Sequence, residues 1–265
     1  MTLSSQEIGE LVLASQNAAK LGGEVLTKWL GKTSTTEKGP RDLVTQADFE
    51  SQTVIREFLE KEFPGHQFVG EEDLETDESP DESDFCWIVD PLDGTTNFVH
   101  QLRSFSVSVG LTYKGKPIAG AVLDPMLDEL YSAGSGQGAT LNGETIKTSD
   151  CVELAKSLFV FSFSRGIDRN HPEVTRFLNM LEQVGSIRRL GSAALNLCYV
   201  ASGRTDGYWA TGLSKWDVAA GWLIALEAGA TIGDFTGAEL DLERPKFCCT
   251  ATPELFELMK PILNV

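Results

Sequence analysis

The chain has 265 residues, 42% hydrophobic and 23% charged, enough for a sizeable core in one large globular unit or two intimate ones. Its formal net charge of −17 would repel polyphosphate backbones and anionic lipid, which argues against nucleic-acid and membrane partners, and no run approaches the roughly 18 apolar residues that span a bilayer. The N-terminus lacks the order of a secretory signal, and the five scattered cysteines form no C-x-x-C spacing, so a cytoplasmic chain with reduced, mostly buried thiols is expected.

Ile8, Leu11, Val12, Ser15, Ala18, Ala19, Gly22, Leu26 and Trp29 follow helical spacing and predict a first amphipathic helix. A loop rich in Thr, Lys and Gly is expected over Gly31 to Arg41. A second helix follows, with Thr45 as cap, Asp48 in its first turn and Val54, Ile55, Phe58 and Leu59 facing inward, until Pro64-Gly65 stops it. Short apolar runs at Phe85 to Val89, Phe105 to Thr112, Ile118 to Leu123 and Glu129 to Ala133 read as strands. Tight turns join them, which predicts a largely antiparallel sheet.

Beyond Asp150 the pattern alternates. Strands are expected at Ser157 to Ser164, Ser186 to Leu190, Gly207 to Ala210 and Cys248 to Ala251, and helices at Pro172 to Val184, Ala193 to Ala201 and Asp217 to Ala228. The chain is thereby divided into residues 1–150, with helices and antiparallel sheet, and 151–265, an α/β half, sharing one continuous body.

The most informative string is Trp87-Ile88-Val89-Asp90-Pro91-Leu92-Asp93-Gly94-Thr95-Thr96-Asn97-Phe98. An apolar strand runs into two acids around a proline-fixed turn, so both carboxylates can converge on hard cations that prefer oxygen. Gly94 and Thr95 then offer amides and a hydroxyl at a helix start, a natural place for phosphate. An isolated D-x-x-D is more often a capping turn; the proline, the glycine and the uninterrupted polar run from Asp93 to Asn97 reverse that preference.

Nine acids and no base lie between Glu71 and Asp84. Most suit a solvated loop, but Glu71 and Glu72 follow the apolar Phe68-Val69-Gly70 at the end of a possible strand, and a metal role for one of them is as reasonable as a loop. Asp48 and Asp217 each read singly as helix-start acids. With Glu71, Asp90 and Asp93 they would supply five carboxylates to a site of two or more metals. Gly134-Ser135-Gly136-Gln137-Gly138 lacks the Lys-Ser or Lys-Thr of a P-loop and reads as a hairpin connection. His66, His100 and His171 have neither zinc nor triad spacing.

Asp42 to Asp48 (DLVTQAD), Gly70 to Glu72 (GEE), Asp90 to Asn97 (DPLDGTTN) and Trp216 to Gly221 (WDVAAG), in this order and spacing, resemble the inositol monophosphatase family. The resemblance implies a layered αβαβα sandwich of mixed α+β and α/β character. It also implies a lithium-sensitive, magnesium-dependent phosphatase of a small phosphorylated metabolite, usually a homodimer, using two to three Mg2+ ions. Carried over by position, Glu71, Asp90 and the Leu92 carbonyl resemble ligands of a first ion, and Asp90, Asp93 and Asp217 those of a second. By the same resemblance Glu71 would also help hold a weaker third ion. Asp48 and Thr95 would activate the attacking water, with the Gly94 and Thr95 amides on the phosphate. Asp93, Ala193 and position 210 would line the substrate.

Two departures stand out. The family's inositol-contacting glutamate, seven residues before the WD aspartate, is replaced by Ala210, which predicts relaxed specificity for inositol 1-phosphate. The lysine before the DLVT motif is displaced to Lys38, which therefore receives no role. Alternatives within the superfamily are phosphatases of histidinol phosphate, a sugar phosphate or a 3'-phosphonucleotide; outside enzymology, a regulatory binding protein retaining the fold.

Overall fold

The computed structural model describes residues 3–32, 35–39, 42–73 and 83–264, without the side chains of 35–39 and 42. The acids Glu75, Asp77, Glu78, Asp81 and Glu82 and the Lys38 side chain lie outside that description. The first half comprises α1 (Ser5–Trp29), β1 (Thr35–Gly39), β2 (Asp42–Thr45), α2 (Gln46–Glu62), β3 (Gln67–Gly70), β4 (Phe85–Asp93) and α3 (Thr95–Val99). It continues with β5 (Ser106–Tyr113), β6 (Lys116–Asp124), β7 (Glu129–Gly134), β8 (Ala139–Leu141) and β9 (Glu144–Thr145). The second comprises β10 (Leu158–Ser162), α4 (Pro172–Leu181), β11 (Ser186–Arg188), α5 (Ala193–Ala201), β12 (Gly207–Ala210), α6 (Lys215–Glu227), β13 (Thr231–Gly233), β14 (Phe247–Thr250) and α7 (Pro253–Leu263).

The larger sheet runs β3-β4-β5-β6-β7-β8-β9 and is antiparallel except for its β3/β4 edge pair. The smaller runs β11-β10-β12-β14-β13 and is mixed, with β10 parallel to both β11 and β12. The apolar stripes of α1 and α2, including Leu26, Ile55 and Leu59, cover one face of the larger sheet through Val107, Val109 and Leu111. Each such fully buried aliphatic side chain contributes about 1.5–3 kcal/mol. Between the sheets, α5 and α6 pack on Ile88, Val122 and Tyr131 from one side and on Val160, Tyr208 and Phe247 from the other. Met180 of α4 and Phe256 and Met259 of α7 close the outer face of the smaller sheet against Phe159 and Trp209. The layers are therefore αβαβα.

The uniform, nearly all-apolar α6 follows from its central position. A Cβ at Gly110 would come within 2.9 Å of the Ala220 nitrogen, and one at Gly120 within 3.0 Å of Ala220 Cα. Small residues on both partners let the helix lie directly on the sheet and fix where its first turn, with Asp217, points.

Three expectations are corrected. Residues 35–39, expected within a loop, pair antiparallel with β2; this hairpin segment, TTEKG, carries no apolar residue to signal a strand. Strand β4 does not end at Val89 but continues to Asp93, because a bulge between Asp90 and Asp93 accommodates Pro91, which cannot donate to the ladder. The short strands β8, β9 and β13 were not foreseen. The Gly134 to Gly138 segment does connect β7 to β8, and the Gly136 and Gly138 amides donate to the Glu227 carboxylate at 2.8 Å each, an anion supplied by the chain itself.

Candidate active site

The β4 bulge aims Asp90 and Asp93 toward one end of the larger sheet, where the first turn of α6 brings Asp217. One carboxylate oxygen from each of the three lies within 4.8 Å of the others. They border a cavity of about 390 Å³ that is also lined by Glu71, Leu92, Gly94, Thr95 and Ala193. Glu71 follows β3, its amide donating to the Val89 carbonyl at 3.1 Å, and its carboxylate lies beside Asp90. Glu72 does not line the cavity; its amide donates to Gln52 Oε1 at 2.9 Å. Of the two acids, Glu71 is therefore the one that borders the cavity.

Each carboxylate has a local anchor. Leu92 N–H donates to Asp90 Oδ1 at 3.0 Å, and Ser214 N–H to Asp217 Oδ2 at 2.6 Å. Asp93 sits at the start of α5, accepting from Ser192 Oγ at 2.6 Å and from the Ala194 and Ala193 amides at 2.7 and 3.1 Å. Ala193 thus meets the cavity with its amide already engaged.

Burial raises all three acids above the usual carboxylate range. For Asp90 the neighbouring Glu71, Asp93 and Asp217 add to the rise, and for Asp217 Asp93 and Glu71 do so. The hydrogen bonds from Ser192 and the α5 amides restrain Asp93, and Ser214 and Arg165 partly offset the rise at Asp217. A buried, mutually repelling set of oxygen donors is the chemistry that a hard divalent cation satisfies, so the residues fit such an ion.

Asp48, 1% exposed, is outside the three-carboxylate cluster and does not line the cavity, but it closes a helix cap and reaches the site through Thr95. Its Oδ2 accepts the Thr45 amide and hydroxyl at 2.8 and 2.7 Å, closing the capping box of α2, while Oδ1 accepts the Thr95 hydroxyl at 3.3 Å. Thr95 Oγ1 also lies 3.1 Å from the Leu92 carbonyl. Gly94 before it has φ = 102°, and a Cβ there would approach the Ser104 carbonyl at 3.2 Å, so glycine is required on both counts.

Position 210 is the exception. Ala210 is fully buried in β12, paired with Ser162 and Phe247, and does not line the cavity. Its methyl packs in the layer beneath, so the expectation that residue 210 itself borders the substrate is corrected; Ser162 and Leu213 form that wall.

Sequence reasoning overlooked three residues of the far wall. Arg165 and Arg189 line the cavity, and Glu173, 1% exposed, fastens the wall by accepting from the Ser164 amide at 2.8 Å and from the hydroxyls of Ser164 and Thr211. Two bases two dozen residues apart in an acidic chain, and an acid in the first turn of a helix, gave no local signal.

An αβαβα sandwich whose carboxylates converge beside a Thr–Asp pair defines a metal-dependent phosphatase class. A model of the inositol monophosphatase family matches residues 9–264. Inositol monophosphatase 1 of Solanum lycopersicum is 41% identical over 266 residues, covering 97% of this chain and 95% of that protein. Nus factor SuhB of Pseudomonas aeruginosa is 39% identical over 233 residues, covering 86% of each. The crystal structure of extragenic suppressor protein suhB from Bartonella henselae superposes with a TM-score of 0.89 at 34% identity, over 96% of this chain and 98% of that one. The chain belongs to the inositol monophosphatase family, and it is a phosphoric monoester hydrolase.

Proposed function

We propose that the chain hydrolyses small phosphate monoesters with magnesium, inositol 1-phosphate among them, with relaxed specificity and sensitivity to lithium. The observation that carries this is the convergence of Asp90, Asp93 and Asp217 on one cavity end, beside Glu71 and the Thr95–Asp48 hydrogen bond. In this reading Glu71, Asp90 and the Leu92 carbonyl hold a first ion and Asp90, Asp93 and Asp217 a second, with Glu71 shared by a third. Bound there, magnesium would neutralise phosphoryl charge, lower the pKa of water and stabilise the leaving oxygen.

The chain's own residues do the rest. The Gly94 and Thr95 amides hold the phosphoryl oxygens. Thr95 Oγ1 accepts a proton from the attacking water while passing its own to Asp48 Oδ1, to which it is already hydrogen-bonded. The new O–P bond forms as the ester O–P bond breaks in line, and the departing alkoxide takes its proton from solvent. Asp48 is held for this by the capping box, which fixes its carboxylate through Thr45. No covalent enzyme intermediate is needed.

Residue 210 is an alanine buried beneath the cavity wall, so it makes no contact that could discriminate among leaving alcohols, which is in keeping with relaxed specificity. The reading extends to a homodimer in the cytoplasm, for which light scattering and cell fractionation are the checks. Phosphate release from inositol 1-phosphate, histidinol phosphate, fructose 1,6-bisphosphate and 3'-phosphoadenosine 5'-phosphate, with magnesium and with excess chelator, tests the function. Release from several esters that stops in chelator is expected. No release from any would favour a binding protein that keeps the fold; undiminished release in chelator would exclude the metal reading.

A further inference from the structure

Among the described residues lining the active-site cavity, the only bases are Arg165 and Arg189, and both belong to the wall away from β4. Arg165 follows β10 on the segment Ser162 to Ile167, every residue of which faces the cavity. Its charge is felt at Asp217, whose carboxyl it draws downward. Arg189 follows β11, the strand next to β10, and its guanidinium lies over the Phe163 ring at 6.0 Å from the centroid. The two cations therefore flank one segment from adjacent strands, and Glu173 anchors that segment through Ser164, between Phe163 and Arg165.

The cavity is thus lined by both signs, with Asp90, Asp93 and Asp217 on β4 and α6 and the two guanidiniums on the segments that follow β10 and β11. Both arginines are exposed, so in a chain of net charge −17 they are the cationic side chains, among the described residues, that an anionic group entering the cavity can meet. Guanidinium is the group best shaped to take a phosphate or carboxylate by paired N–H donors. A polyol leaving group would find little use for it.

We propose that Arg165 and Arg189 form a second anion subsite, so that among small phosphate monoesters the enzyme favours those whose alcohol carries another anionic group, above all a second phosphate. This rests on the phosphatase reading and deepens it: one phosphate is hydrolysed at the acidic end while the other is held by the arginines. The ester oxygen leaves with the still-phosphorylated alcohol, and the arginines exchange no proton.

The test compares kcat/KM within two matched pairs, fructose 1,6-bisphosphate against fructose 1-phosphate, and 3-phosphoglycerate against glycerol 3-phosphate, in magnesium at fixed ionic strength. The wild type is expected to prefer the doubly anionic member of the first pair by roughly 10- to 100-fold, the range of one charge-assisted contact. A smaller preference in the second pair would assign the subsite to phosphate over carboxylate; an equal one would assign it to anions generally. Arg165→Gln and Arg189→Gln should each shrink the preference, mainly through KM, and Arg189→Lys should restore part of it. Thermal melts of these surface variants verify folding. Equal rates on both members of the pairs, or a preference unchanged by either Gln variant, would overturn the subsite while leaving the phosphatase intact. No release from any of the four esters would instead sink the phosphatase reading and the subsite with it.

Discussion

The Thr95 hydroxyl and the Asp48 carboxylate, 47 positions apart, meet at 3.3 Å at the junction of β4, α2 and α3, and the second oxygen of the same carboxylate closes the capping box of α2. A residue that ordinarily serves a helix end thereby also faces a hydroxyl at the cavity. Thr95→Ala should lower kcat on the order of 10²- to 10⁴-fold, the range of a general-base contribution, with little change in stability. Thr95→Ser should keep much of the activity. Asp48→Ala should lose activity and, in addition, about 0.5–1.5 kcal/mol of stability for each lost hydrogen bond to Thr45, the N-cap itself remaining. Steady-state kinetics with urea melts would separate the two; an active Thr95→Ala enzyme would remove the hydroxyl from proton transfer.

Asp90 has three acid neighbours and is itself 1% exposed. Asp90→Asn should reduce kcat on the order of 100- to 1000-fold or more, since the carboxylate proposed to serve two ions becomes neutral. Because burial and repulsion already disfavour the charged form, the metal-free variant should melt no lower than the metal-free wild type. Calorimetric magnesium titration is the decisive measurement: wild-type affinity in the variant would mean that Asp90 is not a ligand.

The same carboxylates tie stability to pH. Asp90, Asp93 and Asp217 have folded-state pKa values raised above their ordinary ones, so in the metal-free protein the fold holds more protons than the unfolded chain in the window between. Their contribution is full below the unfolded values near about 4 and is lost as pH rises through the raised folded values. The metal-free protein should therefore melt higher at mildly acidic than at neutral pH. Magnesium binds the deprotonated carboxylates, so its stabilisation, about 2.7 kcal/mol per site at 100-fold excess over Kd, should grow as pH rises. Scanning fluorimetry across pH with and without magnesium checks this; a magnesium increment that is flat with pH would contradict it.

What the sequence discloses depends on how local the cause is. The Asp90 to Thr95 string is legible because the acids, the proline and the glycine act within one turn of chain. Yet the bulge that lets β4 pass through Pro91 needs its partner β5, and a strand ending at Val89 is the natural reading without it. The two amphipathic helices are legible because α1 and α2 each bury one stripe. Strand β1 has no apolar residue and β13 only three residues, so neither carries a pattern to read. Ala210 is one position from Thr211, which bonds Glu173, but only the pairing of β12 with β10 and β14 shows that the alanine lies beneath the cavity wall. Arg165, Arg189 and Glu173 join the site through three different elements, and nothing short of the fold brings them together.

Glu173 is the acid of that group whose removal should be felt most widely. It starts α4 directly after Pro172, where a carboxylate complements the helix end, but it points inward and accepts from the Ser164 amide, the Ser164 hydroxyl and the Thr211 hydroxyl, with His171 Nδ1 at 3.8 Å. Ser164 is the residue between the cavity-lining Phe163 and Arg165, so this one carboxylate ties α4 and the end of β12 to the far wall of the site. Glu173→Ala would leave the part-buried Ser164 amide and one hydroxyl of the Ser164–Thr211 pair, which can still bond each other at 3.2 Å, without an acceptor, at a cost of about 1–3 kcal/mol for each that finds no water. Glu173→Gln keeps an acceptor oxygen for the amide and should cost less. Neither variant touches the acidic cluster, so both should retain much of the turnover at saturating substrate, while the loosened wall raises KM. The ordering Glu173→Ala above Glu173→Gln above wild type in KM, with kcat nearly level, is the expected result. A collapse of kcat with KM unchanged would instead place Glu173 in the chemical step.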